Sequence, residues 1–246
     1  MSWNIVIILV ITICLSVNAE FPNDPKPCKY GDGECVRDVI NVLLKDNIQG
    51  DASINLPSLN PLKFNSTRIQ QGEDSPVNLD LLLINSNMHG LETVKAIKVK
   101  GFGKDLTKKH SLVFHTDYLS AVGDYEISGK ILILPIKGSG KSNISMVDVD
   151  IFMNFMGTPV EKDGATYMHI EVLNVDTVPK KMVYNVQNLF NGDKALGDNM
   201  NLFLNENWQE IYNEVRGSLN KAYGDVFKGI INAVFSKYPY EKYFTE

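Results

Sequence analysis

The sequence predicts an α+β fold: an antiparallel sheet in the middle of the chain and a long amphipathic helix near its end. Three observations carry this expectation. Runs of alternating or near-continuous apolar residues follow one another from Val77 to Phe190, as strands do. The connections between most of them are short and rich in turn residues, as in NSNMHG and EKDG, and leave no room for the crossover helices of a parallel sheet. From Asn199 to Phe235 the apolar residues recur instead with a period near 3.6.

The chain begins with MSWNIVIILVITICLSVNA, apolar from Ile5 to Val17 and ending in Val17-Asn18-Ala19, the small-residue spacing that a signal peptidase reads. Residues 1–19 are therefore expected to be a signal peptide, with Glu20 the first mature residue, although no Lys or Arg precedes Lys26. The apolar run is shorter than the ~20 residues that cross a bilayer, so an uncleaved anchor ranks second. No later stretch is apolar enough to span. A secreted, extracellular chain is expected, with residues 20–246 forming one domain, because no linker, repeat or low-complexity segment divides them.

Cys14 leaves with the signal, and CKYGDGEC retains the pair Cys28 and Cys35. In an oxidising compartment an even pair reads as a disulfide; a metal site would need further ligands, and no histidine lies nearby. Two N-glycosylation sequons fit the same compartment, at Asn65 (NST) and Asn143 (NIS). From Cys35 to Asn47 the spacing of Val36, Val39, Ile40, Leu43 and Leu44 predicts a short amphipathic helix, and Gly50 follows as a stop.

The proline-bearing passage INLPSLNPLKF leads into the strand zone: VNLDLLLI, VKAIKVKGF, SLVFHTDYL, YEISGKILILPI, NISMVDVDIFMNF, YMHIEVLNVDTV and KKMVYNVQNLF. The Lys-rich segment from Lys95 to Lys109 reads as the wet side of strands. The string GSGKS within IKGSGKSNIS looks like a nucleotide-phosphate loop but fails twice. The position that needs the first glycine is Pro135, which has no N–H to offer. The next residues, NISMVDVDIFMNF, are strand-like, where the motif needs a helix N-terminus. A glycine-rich turn between two strands is expected there.

The stripe from Met200 through Phe203, Trp208 and Tyr212 to Phe235 predicts one helix, closed by Pro239. Its length, about 55 Å, exceeds the diameter of about 45 Å expected for a sphere of this chain length. Either the molecule is elongated, with a sheet curved along the helix, or the helix bends, with Gly217, Gly224 and Gly229 as the tolerant positions.

Composition excludes several functions. A net charge of −5 offers nothing to nucleic acid or to an anionic membrane. Ser139 lacks a nucleophile elbow because Lys137 stands where the first glycine belongs. His89, His110, His115 and His169 lack the HExxH spacing of a zinc site, and His115 reads as satisfied or solvent-facing. Asp148 and Asp150 share one strand face, which reads as the wet side of a sheet. No enzyme, cofactor or metal is expected.

CKYGDGEC, LPSLNPLKF, GDYEISGKILILPIKGSG and LFNGDKALGDNMNLFLNENWQEI occur in this order and span nearly the whole mature chain. In them the chain resembles the insect takeout and juvenile hormone-binding protein family, and the stretch NGDKALGDNMNLFLNENW resembles its takeout branch more closely. The resemblance implies a strongly curved antiparallel sheet wrapped round a long C-terminal helix, an elongated, TULIP-like architecture enclosing an apolar tunnel. It also implies a monomeric carrier of a small hydrophobic molecule, either a juvenile hormone-like terpenoid, a fatty acid or a similar lipid. The resemblance suggests links to feeding and circadian behaviour. If the long helix lines the tunnel, Phe203, Trp208 and Tyr212 are expected to reach the ligand, with Phe155 on the opposite wall. The competing reading is a secreted signalling or protein-interaction module whose core is filled by side chains. A lipid-surface protein of the related bactericidal type would want a basic surface, which this acidic chain lacks.

Overall fold

A computed structural model describes residues 21–22, 25–72, 76–131 and 133–246, so the expected signal peptide, residues 1–19, lies outside the described residues. In chain order the elements are β1 (Cys28–Lys29), α1 (Gly33–Asp46), β2 (Leu62–Gln70), β3 (Val77–His89), β4 (Lys95–Lys100), β5 (Lys109–Ile131) and β6 (Leu134–Met156). Then come β7 (Thr158–Lys162), β8 (Ala165–His169), β9 (Leu173–Val186), α2 (Lys194–Glu206), α3 (Trp208–Phe235) and β10 (Phe244–Thr245).

The main sheet is antiparallel and runs β2-β3-β5-β6-β9. Its backbone is the hairpin β5–β6, whose strands pair without a break in sense from Lys109↔Met156 to Ile131↔Leu134. β5 is long enough to serve two partners on its other side: β3 along Ser120–Ile131 and β4 along Ser111–His115. SLVFHTDYL and YEISGK, expected as separate strands, are thus one strand. The GSGKS segment is not a turn; it lies inside β6, and the chain reverses between Ile131 and Leu134. Glycine is needed there for close approach. A Cβ on Gly138 would sit 2.9 Å from the Tyr125 hydroxyl and 3.0 Å from Leu189 Cα. Neither is a nucleotide cradle.

The sheet stays open, with β2 and β9 as its edges, and α3 packs against both. On the β9 side Arg216 grips Asp176 at 2.8 and 2.5 Å, and the Asn220 amide donates to Asp176 while accepting from Thr177. On the β2 side the Ser218 hydroxyl donates to Gln70 O at 2.7 Å. Gly224 lets the helix touch β9, since a Cβ there would lie 2.6 Å from Leu173 O.

The expected single helix from Asn199 to Phe235 is in fact two, α2 and α3, parted at Asn207 (φ −106°, ψ 23°) rather than at any of the three glycines. The Asn207 side chain and N–H both bond Phe203 O, closing α2, while its carbonyl receives Ile211 N–H and opens α3. The break lets α2 lie along the edge of β9. There Asn201 both accepts from and donates to the backbone of Val186 (2.8 and 2.8 Å), and Asn205 does the same for Tyr184 (2.9 and 2.8 Å). The match is geometric: four helical residues rise ~6 Å, and two strand residues span ~6.6 Å. Side-chain amides thereby occupy an edge that would otherwise be open to another strand. Asn232 of α3 treats Ile170 in the same way, and Asn41 of α1 treats Ala96.

Candidate functional site

At the end of the molecule that holds both α1 and the C-terminal residues, the walls come from separate segments. Asp32 caps α1 by accepting from Cys35 N–H at 3.0 Å. A disulfide joins Cys35 to Cys28 on β1, and β1 pairs in parallel with β10. Phe21 stands edge-on to Tyr238 and Tyr243, with ring centroids 5.1 and 5.0 Å apart. Between these segments and the last turns of α3 lies a cavity of about 200 Å³, lined among others by Val36, Val39, Phe102, Phe235 and Phe244. A second cavity, of about 220 Å³, reaches further under the sheet to Leu112, Phe114, Ile151 and Phe227. Every side chain lining the second is apolar, and the two share Ile40, Leu43, Ile54 and Val234. Together they form one greasy compartment, with α1 along one side.

A third cavity, of about 80 Å³, lies at the far end, between α3 and the β5–β6 hairpin, with Leu79, Ile127, Ile144 and Leu219 in its wall. Met146 and Val149, both buried on β6, fall between the residues of the near and far walls and line neither. The expected tunnel is therefore divided by packed side chains. Unlike the second cavity, the far one is lined by residues that carry hydroxyls. Tyr125 donates to Gln187 O at 2.6 Å, and burial pushes its phenol up to about 12. The hydroxyls of Ser142 and Tyr184 are shut off from solvent and have no hydrogen-bond partner among the described residues. Burial raises the Tyr184 and Tyr223 phenols further still, so both remain neutral donors.

None of the four residues expected to meet ligand lines any of these three cavities. Phe155 is 3 % exposed and stacks on the His110 ring at 4.8 Å. The Tyr212 hydroxyl is engaged with Thr177, bonding both its side chain (2.7 Å) and its carbonyl (2.5 Å). Phe203 and Trp208 are half-buried and pack on the outside of the core cluster around the α2–α3 break. The residues of α2 and α3 that do face cavities are their neighbours and residues of later turns: Leu204, Ile211, Val215, Leu219 and Tyr223 at the far end, and Phe227, Ile230 and Val234 among those at the near end.

His110 is wholly buried, with Nδ1 accepting from Phe102 N–H and Nε2 donating to Leu106 O, both at 2.9 Å. That arrangement fixes a neutral ring, and desolvation lowers its pKa. His115 lies on the outer face of the sheet, 2.9 Å from Asp150, and Asp148, whose φ is positive at 52°, pairs with Lys180 at 2.6 Å. Among the described residues no group of His, Cys, Asp and Glu side chains is placed to hold a metal ion, and no helix is long and apolar enough to cross a membrane. Nothing in these contacts assembles a nucleophile with a base.

Known proteins agree with this geometry. The family profile described as haemolymph juvenile hormone binding protein matches residues 6–245. The circadian clock-controlled protein daywake of Drosophila melanogaster is 28 % identical over 229 residues, covering 91 % of this chain and 88 % of that protein. A putative beta-carotene-binding protein of Schistocerca gregaria is 22 % identical over 212 residues, covering 85 % and 82 %. The crystal structure of Takeout 1 from Epiphyas postvittana superposes with a TM-score of 0.73 at 24 % identity, covering 87 % of this chain and 96 % of that one, and so shares its fold. With its open antiparallel sheet, its long C-terminal helix and a profile match over nearly its whole length, the chain belongs to the insect takeout and haemolymph juvenile hormone binding protein family.

Proposed function

We propose that this protein is a secreted, monomeric carrier that holds a small hydrophobic molecule, terpenoid or fatty acid-like, in the near compartment. The observation that carries the reading is that two adjoining cavities of about 200 and 220 Å³ share walls and offer almost nothing but hydrocarbon. A filled-core interaction module has no use for such space, because voids in a core are destabilising. Transfer of a terpenoid of about fifteen carbons out of water contributes on the order of 12 kcal/mol. Association costs of several kcal/mol leave affinity at micromolar or better. The ligand contacts follow the cavities, with Phe155 and Tyr212 acting as the packing that fixes them.

The test is native mass spectrometry of protein purified from insect cells, followed by solvent extraction. The expected result is a bound mass that organic solvent removes, and saturable rebinding of a fluorescent fatty acid or terpenoid probe. Protein that carries nothing, and shows no saturable binding across a panel of chain lengths, would establish the interaction module instead.

A further inference from the structure

The walls of the near compartment are almost entirely hydrocarbon, but the far cavity asks for something more. Ser142 on β6 and Tyr184 on β9 are diagonal neighbours, since Ser142 pairs with Val186 and Ile144 with Tyr184. Residues two apart on a strand point to the same face, so both side chains enter the same space, and both line the cavity. Ser142 is only 4 % exposed, and the Tyr184 hydroxyl is equally cut off from solvent, yet neither finds a partner among the described residues. Such orphaned buried groups are uncommon and costly. Ala and Phe would fill the same volume without the cost, so the two hydroxyls are kept for something absent from the protein itself. No Lys, Arg or His lines this cavity, and an ionised carboxylate placed there would lose its hydration with no counter-charge in return.

We infer that the far cavity binds the oxygen-bearing end of a neutral lipid, an alcohol, ketone or ester, through hydrogen bonds from Ser142 Oγ and Tyr184 OH, and rejects ionised fatty acids. Each hydroxyl can donate to a carbonyl, and each can accept from an alcohol, which is why the class extends across these groups. The inference rests on the carrier reading and sharpens it: the packed Met146 and Val149 side chains part this cavity from the near compartment, so a lipid end that arrives here has displaced them, and the two hydroxyls supply the choice. The competing occupant is buried water, for which a cavity of about 80 Å³ with two hydroxyls in its wall has room.

The experiment uses the full secreted chain, stripped of lipid, with N-phenyl-1-naphthylamine as the fluorescent probe. Decane, 1-decanol, 2-decanone and decanoate compete for it at pH 8. 1-Decanol and 2-decanone are expected to displace the probe at concentrations about tenfold lower than decane, and decanoate to need more than either. In the Tyr184→Phe, Ser142→Ala double variant the alcohol and ketone are expected to fall back to the level of decane, with decane unchanged. Both changes are close in shape to the original, and the lipid-free variant should melt no lower than wild type. Equal displacement by decane and decanol in the wild type overturns the inference and leaves the carrier standing. Stronger displacement by decanoate, a preference that survives the double variant, or a lower melting temperature of the lipid-free variant, as lost bound water would give, overturns it too. If none of the four displaces the probe, the carrier reading falls as well.

Discussion

The two ends of this molecule enclose apolar space by different means. At the near end, α1, β1, the 102–110 region and the C-terminal residues come from distant parts of the chain, held by a disulfide, a two-residue parallel pair and a cluster of aromatic rings. At the far end the wall is one continuous antiparallel surface, with α2 clipped to its edge by Asn201 and Asn205. A wall assembled from separate pieces can open by moving one of them, whereas a hydrogen-bonded hairpin cannot part without losing its ladder. The near end thus has the construction of an entrance and the far end that of a terminus.

The largest disturbance should come from a change that acts on both ends at once. Gly224 lies on α3 between the residues of the near and far walls, and in Gly224→Val the new Cβ would stand 2.6 Å from Leu173 O, so the side chain must push α3 off β9. We expect a loss of roughly 3 kcal/mol in urea unfolding and faster amide exchange in both walls; exchange confined to one end would contradict a shared spine. Reducing the disulfide should separate the ends. The loop it closes is short, with a sequence separation of 7, and its closure contributes about 2.5 kcal/mol through chain entropy. Exchange should rise in α1 and β1 and stay unchanged in β6 and β9. The converse change, Asn205→Ala, removes two hydrogen bonds from the backbone of Tyr184 and should cost about 1–2 kcal/mol, loosening α2 while leaving α1 protected.

Much of this was legible in the sequence, for reasons that also explain what was not. The spacing of Val36, Val39, Ile40 and Leu43 announced α1, and the alternation in the middle of the chain announced an antiparallel sheet. The break at Asn207 was hidden because the apolar stripe runs through it unchanged. The usable signal was polar: Asn201 and Asn205, poor helix formers spaced one turn apart, mark a face that bonds a strand edge. β2 went unrecognised because, as an edge strand, it buries only Leu62 and Ile69 within LKFNSTRIQ. For the site, the stripe was visible but its division was not. Residues that line a cavity and residues that fill a core obey the same period, so Trp208 and Tyr212 could not be told from Leu219 and Phe227. Ser142 and Tyr184 are ordinary strand residues until their missing partners are seen.

A smaller effect sharpens the near end. The depressed pKa of His110 means that the unfolded chain takes up a proton as pH falls below the ordinary value of 6.5 while the folded chain does not. The contribution is therefore whole above that value and is lost as pH drops towards the folded pKa. The urea midpoint should fall between pH 7.5 and pH 5, and His110→Gln should flatten that slope even though it lowers stability throughout. The smallest effect is at the surface. Asn65 is exposed on β2, whereas Asn143 accepts from Ser120 and from Ser145, the hydroxyl of its own sequon, at 2.7 and 3.0 Å. Enzymatic deglycosylation should shift the mass of protein purified from insect cells, and Asn65→Gln should abolish that shift where Asn143→Gln does not.

The pairing of β1 with β10 also sets an order in time. Cys28 and Phe244 sit side by side in the wall of the near cavity, yet at ordinary elongation rates of about 5–20 residues per second the ribosome makes the second some 10–40 s after the first. Until then the wall has a gap that no earlier segment fills. Hydrocarbon met during synthesis finds exposed strands rather than a closed cavity, and a cargo enclosed at this end is one that the finished chain has taken up.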